Sequence, residues 1–105
     1  EVKRGSIYQG IILDPPAYGR GPAGEKWLLE DNINELIKLC GELLDKNDHF
    51  FIINLYSMGF SALILDNLVA GSFGKVKNPE FGELFFEDQF NKKLPLGVFY
   101  RFSNT

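Results

Sequence analysis

Apolar residues along the chain form short continuous runs that alternate with helically spaced stripes. The run Gly10–Asp14 and the run His49–Ser57 lack a regular polar alternation, which is typical of strands buried on both faces. The stretch between them predicts one apolar face of a helix, formed by Leu29, Ile33, Leu36, Ile37, Cys40, Leu43 and Leu44. Asn32 and Glu35 have the spacing of a capping box, although this helix could also begin earlier. A strand–helix–strand unit with buried strands predicts a parallel strand pair with a right-handed crossover.

The second half of the chain predicts another helix and then an antiparallel strand pair. Ser61 can cap that helix, and Gly71 and Gly74 can end it. Its apolar faces would be formed by Leu63, Leu65, Leu68 and Val69. Residues 83–87 and 96–102 have the composition of strands and are separated by a polar turn, so a hairpin is the simplest arrangement.

Polar residues follow both buried runs at the same end of the predicted sheet. Asp14, Pro15 and Pro16 end the first strand, and Asn54 and Tyr56 lie at the end of the second. In open sheets with parallel strands, ligands bind beyond the carboxyl ends of those strands. We therefore expect the functional site at this edge.

Two motifs overlap at the edge, and the first is a glycine pattern. Residues Gly19–Gly24 match the G-x-G-x-x-G pattern of a dinucleotide-binding turn. In such a turn the first glycine follows the strand almost at once, whereas here Asp14–Tyr18 intervenes. Pro22 also lacks an amide that could face a phosphate. We therefore interpret the segment up to Gly24 as a mobile, glycine-rich loop.

The second motif, Asp14-Pro15-Pro16-Ala17-Tyr18, carries more chemistry. The prolines hold neighbouring carbonyl groups in a rigid geometry without spare amides, so the carbonyls and the Asp14 carboxylate can accept hydrogen bonds from an amino group. The ring of Tyr18 can stack on a planar base. The simpler alternative is a turn in which the prolines only end a strand.

Composition narrows the class of protein. The 105 residues are 45% hydrophobic and 24% charged, which suits one small globular domain. The net charge of -3 gives no electrostatic footprint for nucleic acid over the whole chain. A single cysteine excludes an internal disulfide, and no group of residues has the spacing of metal ligands. No apolar run is long enough to span a membrane. We expect a cytoplasmic protein without membrane or metal partners.

The segment Ile12–Glu25 resembles the fourth motif of class I S-adenosylmethionine-dependent methyltransferases, in the branch described as ribosomal-RNA methyltransferase-like. Residues Phe51–Gly59 are similar to the next strand of that branch, and Leu96–Arg101 to its final strand. The resemblance implies an α/β, partial Rossmann-like class I methyltransferase fold, with parallel strands and helices and a final antiparallel strand pair. The glycine-rich half that binds S-adenosylmethionine has no counterpart before Gly10. We therefore expect residues 1–105 to be the C-terminal half of a catalytic domain, inactive without the first half.

The resemblance also implies roles for individual residues. Asp14 and Pro15 would border the methyl group of S-adenosylmethionine and the target atom, and Pro16 would complete that catalytic loop. Tyr18 would contact the acceptor base, and Arg20 could contact a phosphate. The remaining candidates are Asn54 and Tyr56, which would line the same cleft, and Lys26, for which a solvated charge is the favoured interpretation.

The lone cysteine bears on the acceptor atom. Methylation at a pyrimidine carbon usually needs a thiolate, but Cys40 lies on the apolar helix stripe, where a core role is expected. His49 is expected at the surface, and Trp27 and Met58 are expected to serve packing. The position of Cys40 favours a nitrogen or oxygen acceptor, unless a cysteine comes from elsewhere, and the resemblance implies an RNA substrate.

Two further expectations concern association. The open edge of the first strand would make the isolated chain a homo-oligomer. The alternative function is a small, non-catalytic α/β interaction domain, whose aromatic residues would form a protein contact surface.

Overall fold

The computed structural model describes residues 1–56 and 60–104. In chain order its elements are a short 3-10 helix (Val2–Arg4), β1 (Gly10–Leu13), β2 (Tyr18–Arg20), β3 (Lys26–Leu28), α1 (Leu29–Leu43), β4 (Phe50–Leu55), α2 (Ala62–Phe73), β5 (Glu80–Glu87) and β6 (Lys93–Ser103). β1, β4, β6 and β5 form a four-stranded sheet in that order, and β2 and β3 form a separate pair. Within the described residues, no helix is long and apolar enough to cross a membrane.

The predicted strand–helix–strand unit and the final hairpin are both confirmed. β1 pairs with β4 in parallel, with Ile11 beside Phe51 and Leu13 beside Ile53. β6 runs antiparallel to both β4 and β5. The two hairpin strands are longer than predicted: β5 already begins at Glu80, and β6 runs from Lys93 through Pro95 to Ser103. A register shift after Leu84 lies opposite this proline, which cannot donate a ladder hydrogen bond.

Helices α1 and α2 supply the apolar layer that covers one face of the sheet. Alternate residues of β4 and β6 point into this layer, and Phe51, Ile53 and Leu55 are fully buried. The ring of Phe51 stacks on that of Phe102, with 5.5 Å between the ring centroids. Every second residue of the two central strands is therefore buried, and these residues pack against the apolar stripe of α1, which repeats every 3.6 residues. This packing fixes the register of the sheet.

The observed ends of the helices match the ends predicted from the sequence in part. Ser61 caps α2, since its hydroxyl accepts a hydrogen bond from the amide of Ile64 at 3.3 Å. The capping box at Asn32 was wrong, because α1 begins at Leu29 and the Asn32 side chain donates to the carbonyl of Leu28. Gly71 lies inside α2, and only Gly74, with a φ of 71°, ends the helix.

His49 precedes β4 at its amino end, away from the candidate edge as predicted, and it lies at the surface only in part. Its side chain is half-buried, and its ring packs edge-on against Phe102 with 5.7 Å between centroids. Nδ1 of the ring lies 2.6 Å from the carbonyl oxygen of Asp45, the residue that begins the polar turn before β4. The histidine therefore closes this end of the core.

Candidate active site

The carboxyl ends of β1 and β4 place Asp14 and Asn54 at neighbouring positions. The last paired residues of these parallel strands are Leu13 and Ile53, and Asp14 and Asn54 come directly after them. Asp14 is exposed and Asn54 is half-buried. Within the described residues, nothing donates a hydrogen bond to the Asp14 carboxylate, which leaves its oxygens available to a ligand.

The loop after Asp14 is held by hydrogen bonds to its own backbone carbonyls. The indole nitrogen of Trp27 donates to the carbonyl of Pro16 at 2.6 Å, and the amide of Leu29 donates to the carbonyl of Ala17 at 3.0 Å. Over residues 1–56 and 60–104, no donor reaches the carbonyl of Pro15. The Asp14 carboxylate and the Pro15 carbonyl are therefore acceptors that this loop leaves free for a ligand.

The segment that follows is a hairpin, so its assignment as an irregular loop up to Gly24 was wrong. β2 pairs antiparallel with β3, with Gly19 opposite Trp27. The connection is closed by a hydrogen bond of 2.8 Å from the amide of Gly21 to the carbonyl of Glu25. The Glu25 carboxylate also accepts from the amide of Ala23 at 3.2 Å. Since Gly19 lies within a strand, the G-x-G-x-x-G match does not form a dinucleotide-binding turn.

One side of this hairpin carries an aromatic ring and two cations. Arg20 and Lys26 occupy directly opposite positions, so two positive charges lie side by side. Nε of Arg20 donates to the Tyr18 hydroxyl at 2.8 Å, and Tyr18 is 54% exposed. Among the residues that the structure describes, no carboxylate forms an ion pair with either cation. Like charges opposite one another are unfavourable by themselves, so this surface is suited to an anionic ligand.

Tyr56 lines a cavity at the end of β4, and no described residue of the hairpin is among the residues that line it. The cavity has a volume of about 410 Å³ and is lined by Tyr56, Phe60, Glu83, Pro95, Leu96, Gly97 and Val98. Gly97 has a φ of 147°, and a Cβ built there would come within 2.5 Å of the carbonyl oxygen of Leu55. The cavity therefore depends on a close approach of β6 to the end of β4.

Sequence reasoning missed Phe60, Glu83 and Gly97 as residues that line the cavity. It also missed the hydrogen bond that Trp27 of the hairpin donates to Pro16. A proline and a glycine inside the apolar run Leu94–Val98 were the available signal, since both are unusual within a paired strand. Ser57 and Met58, which the sequence analysis also named, lie outside the described residues.

Cys40 lies in the core between the helices and the sheet, as predicted. Its side chain is 4% exposed, and burial raises the pKa of its thiol to about 11. A thiol with a raised pKa is a poor nucleophile, because the thiolate is the reactive form. Cys40 therefore has no place in the chemistry of the sheet edge.

Comparison with solved structures finds matches over nearly the whole chain. A SAM-dependent methyltransferase from Agrobacterium tumefaciens is 25% identical, with a TM-score of 0.84, over 99% of this chain and 36% of that one. SMU.776, a proposed methyltransferase complexed with SAH, is 17% identical, with a TM-score of 0.68, over 96% of this chain and 27% of that one. A proposed SAM-dependent methyltransferase from Streptococcus mutans is 16% identical, with a TM-score of 0.65, over 96% of this chain and 26% of that one.

The fold follows from these matches. The chain has a mixed α/β fold that resembles part of a class I methyltransferase domain. It spans 36% of the length of the Agrobacterium protein. No protein-family model matches the sequence, and no curated protein matches it.

Proposed function

We propose that this chain supplies the methyl-acceptor side of the active site of an S-adenosylmethionine-dependent methyltransferase that acts on RNA. The observation that carries the proposal is the match over 99% of the chain to a SAM-dependent methyltransferase, with a TM-score of 0.84. Within the matched fold, Asp14 and Asn54 lie side by side at the carboxyl edge, where parallel sheets bind ligands. Both observations favour this function over a non-catalytic interaction domain.

The chemistry of the free acceptors fits the cofactor. S-adenosylmethionine would supply a methyl group carried on a positively charged sulfur. Asp14 offers an exposed carboxylate and Pro15 a carbonyl, and no described residue donates a hydrogen bond to either group. A negative charge and a carbonyl dipole suit a neighbouring cation. The remainder of the cofactor would be held by a glycine-rich half that this chain does not contain, so the chain would be inactive alone.

The same two acceptors would orient the target atom. An amino group that donates its hydrogens to the Asp14 carboxylate and the Pro15 carbonyl would direct its lone pair away from them, toward the methyl group. Catalysis of this kind depends mainly on positioning. A carbon acceptor would need a thiolate, and the thiol of Cys40 is buried with its pKa raised to about 11. We therefore propose a nitrogen or oxygen acceptor.

The hairpin β2–β3 would contact the RNA. Tyr18 is 54% exposed and can stack on a base, while Arg20 and Lys26 present adjacent positive charges to phosphates. The sequence favoured a merely solvated Lys26, but its position opposite Arg20 adds it to the proposed contact. We place the activity in the cytoplasm, as expected for the lone thiol of Cys40.

The test is methyl transfer from radiolabelled S-adenosylmethionine to unmodified RNA, with the full-length gene product and with the 105-residue chain. We expect transfer by the full-length protein only. Asp14→Ala should abolish it, whereas Asp31→Ala, at an exposed position of α1, should not. Nucleoside mass spectrometry would then show an N- or O-methylated product. Transfer that survives Asp14→Ala, or a methyl group on a pyrimidine carbon, would contradict the proposal.

A further inference from the structure

The cavity beside Tyr56 has features that point to a particular class of base. We propose that it binds a nucleobase carrying an exocyclic amino group, and that the Glu83 carboxylate selects that base by accepting the amino hydrogen. The inference rests on the proposed function, because it concerns a second base of the same RNA, bound beside the position where Asp14 and Pro15 would hold the target atom. It adds Glu83 and Phe60 to the residues that would bind the substrate.

The cavity lies at the correct edge of the sheet. Leu55, the last residue of β4, is paired with Val98, and Val98 is paired on its other side with Glu83. Leu55, Val98 and Glu83 are thus neighbours across three adjacent strands, and Glu83 lines the same cavity as Tyr56. Its volume of about 410 Å³ falls within the range of about 300–1,000 Å³ that is usual for small-ligand sites.

Two aromatic side chains give the cavity walls that suit a flat ring. Tyr56 is 53% exposed, and Phe60 is half-buried and packed against the core. Gly97 contributes no side chain, and a Cβ there would lie 3.0 Å from Cδ1 of Tyr56. A planar base can therefore approach the tyrosine ring, and stacking on an aromatic ring contributes about 1–3 kcal/mol per base.

Glu83 supplies the carboxylate among the residues that line the cavity. In the described part of the chain, no lysine, arginine or histidine forms an ion pair with it. Its neighbour on the same strand, Glu80, forms an ion pair of 2.6 Å with Arg101. Because Glu83 lacks such a contact, its oxygens remain free to accept hydrogen bonds. The N4 amino group of cytosine can donate to them, whereas uracil presents a carbonyl oxygen at that position, which a carboxylate repels.

Cytidine and uridine make a matched pair for the test, since they have the same size and sugar and differ only in the group at C4 and the hydrogen on N3 that accompanies it. The full-length protein would be titrated with each nucleoside while the ring signals of Tyr56 and Phe60 are followed by NMR. We expect cytidine to shift these signals and uridine to bind about tenfold more weakly, the effect of one charge-assisted hydrogen bond. Glu83→Gln should reduce the preference to about twofold or less, because a neutral amide can also donate to the uracil carbonyl.

Glu87→Gln is the control, since Glu87 is exposed at the far end of β5 and does not line the cavity. This variant should keep the preference, and a thermal melt of each variant would verify folding. Equal binding of the two nucleosides, the absence of binding, or shifts confined to other rings would overturn the inference. If the full-length protein methylates RNA while the preference is absent, only this inference fails. If the preference is present without methyl transfer, the pocket stands and the proposed function fails.

Discussion

Gly97 lies so close to Leu55 that the backbone of β6 leaves no room for a side chain there. A Cβ at Gly97 would come within 2.5 Å of the Leu55 carbonyl oxygen, and the φ of 147° is itself unfavourable for other residues. This contact joins the end of β4 to β6 beside the cavity that Tyr56 lines. The glycine therefore determines both the packing of the sheet and the shape of the candidate base pocket.

The first prediction concerns the cost of filling this position. Gly97→Ala should lower the free energy of unfolding by about 2 kcal/mol, because the strands must separate to admit the methyl group. Gly71→Ala is the matched control: a Cβ there meets nothing within 4 Å, and the position is inside α2. The control should be stabilised by about 0.5–1 kcal/mol. Urea denaturation of both variants measures the difference, and equal stabilities would contradict the contact.

Much of the sheet could be predicted because its signals are local. The unbroken apolar run before Asp14 and the stripe ending at Leu43 each follow the period of one element, so they determined β1 and α1 without knowledge of the rest of the chain. Placing Asn54 beside Asp14 then needed only the rule that parallel strands end at the same edge.

The hairpin β2–β3 could not be predicted in the same way. Its strands have three residues each, too few to show a period, and they are stabilised by contacts between distant positions. Trp27 donates to the carbonyl of Pro16, and the amide of Leu29 donates to the carbonyl of Ala17. The cavity was missed for a similar reason, since Gly97 contacts Leu55 across a strand pair that no local pattern specifies.

The second prediction tests the contact between Trp27 and Pro16. Trp27→Phe keeps an aromatic ring but removes the N–H that donates to Pro16 at 2.6 Å, so it should lower the free energy of unfolding by about 1 kcal/mol. In the full-length protein, it should also lower kcat for methyl transfer more than it raises KM for RNA, because the loop that follows Asp14 is displaced. A change in KM alone would show that Trp27 acts only in RNA binding.

The third prediction concerns the two cations of the hairpin. Arg20→Gln and Lys26→Gln should each weaken RNA binding by the full-length protein and reduce the slope of log K against log salt by about 1, since each cation would neutralise one phosphate. Lys38→Gln, at an exposed position of α1, is the control and should leave the slope unchanged. Fluorescence anisotropy with labelled RNA at several salt concentrations measures the slope. An unchanged slope in both hairpin variants would exclude these residues from phosphate binding.

The fourth prediction is a pH dependence from the core. Tyr100 is 1% exposed. Its burial, and secondarily the negative charge of Asp66, raise its pKa to about 12. In the unfolded chain a tyrosine has a pKa of about 10, so the unfolded state releases its proton first as the pH rises. The stability contribution is complete below pH ~10 and is lost between about pH 10 and 12, with a total on the order of 2 kcal/mol.

Tyr100→Phe isolates this contribution, because the two proteins differ only in this hydroxyl group. The difference in free energy of unfolding between the unmodified chain and the variant should be constant from pH 7 to 9 and should shrink above pH ~10. Urea denaturation at each pH gives both values. A difference that stays constant up to pH 12 would show that the Tyr100 hydroxyl titrates as it does in the unfolded chain.

The last prediction concerns the open edge of β1. In the described structure β1 pairs with β4 alone, and Ile12 on this strand is 66% exposed. An unpaired apolar edge favours pairing with another chain, so we expect the 105-residue chain to form dimers or larger oligomers at high concentration.

Ile12→Lys should shift the chain toward the monomer, since a charge at the edge opposes strand pairing. Leu63→Lys, on α2 with 67% exposure, should leave the association unchanged. Light scattering over a concentration series measures the mass, and a monomer at every concentration, or equal effects of the two lysines, would refute pairing through β1.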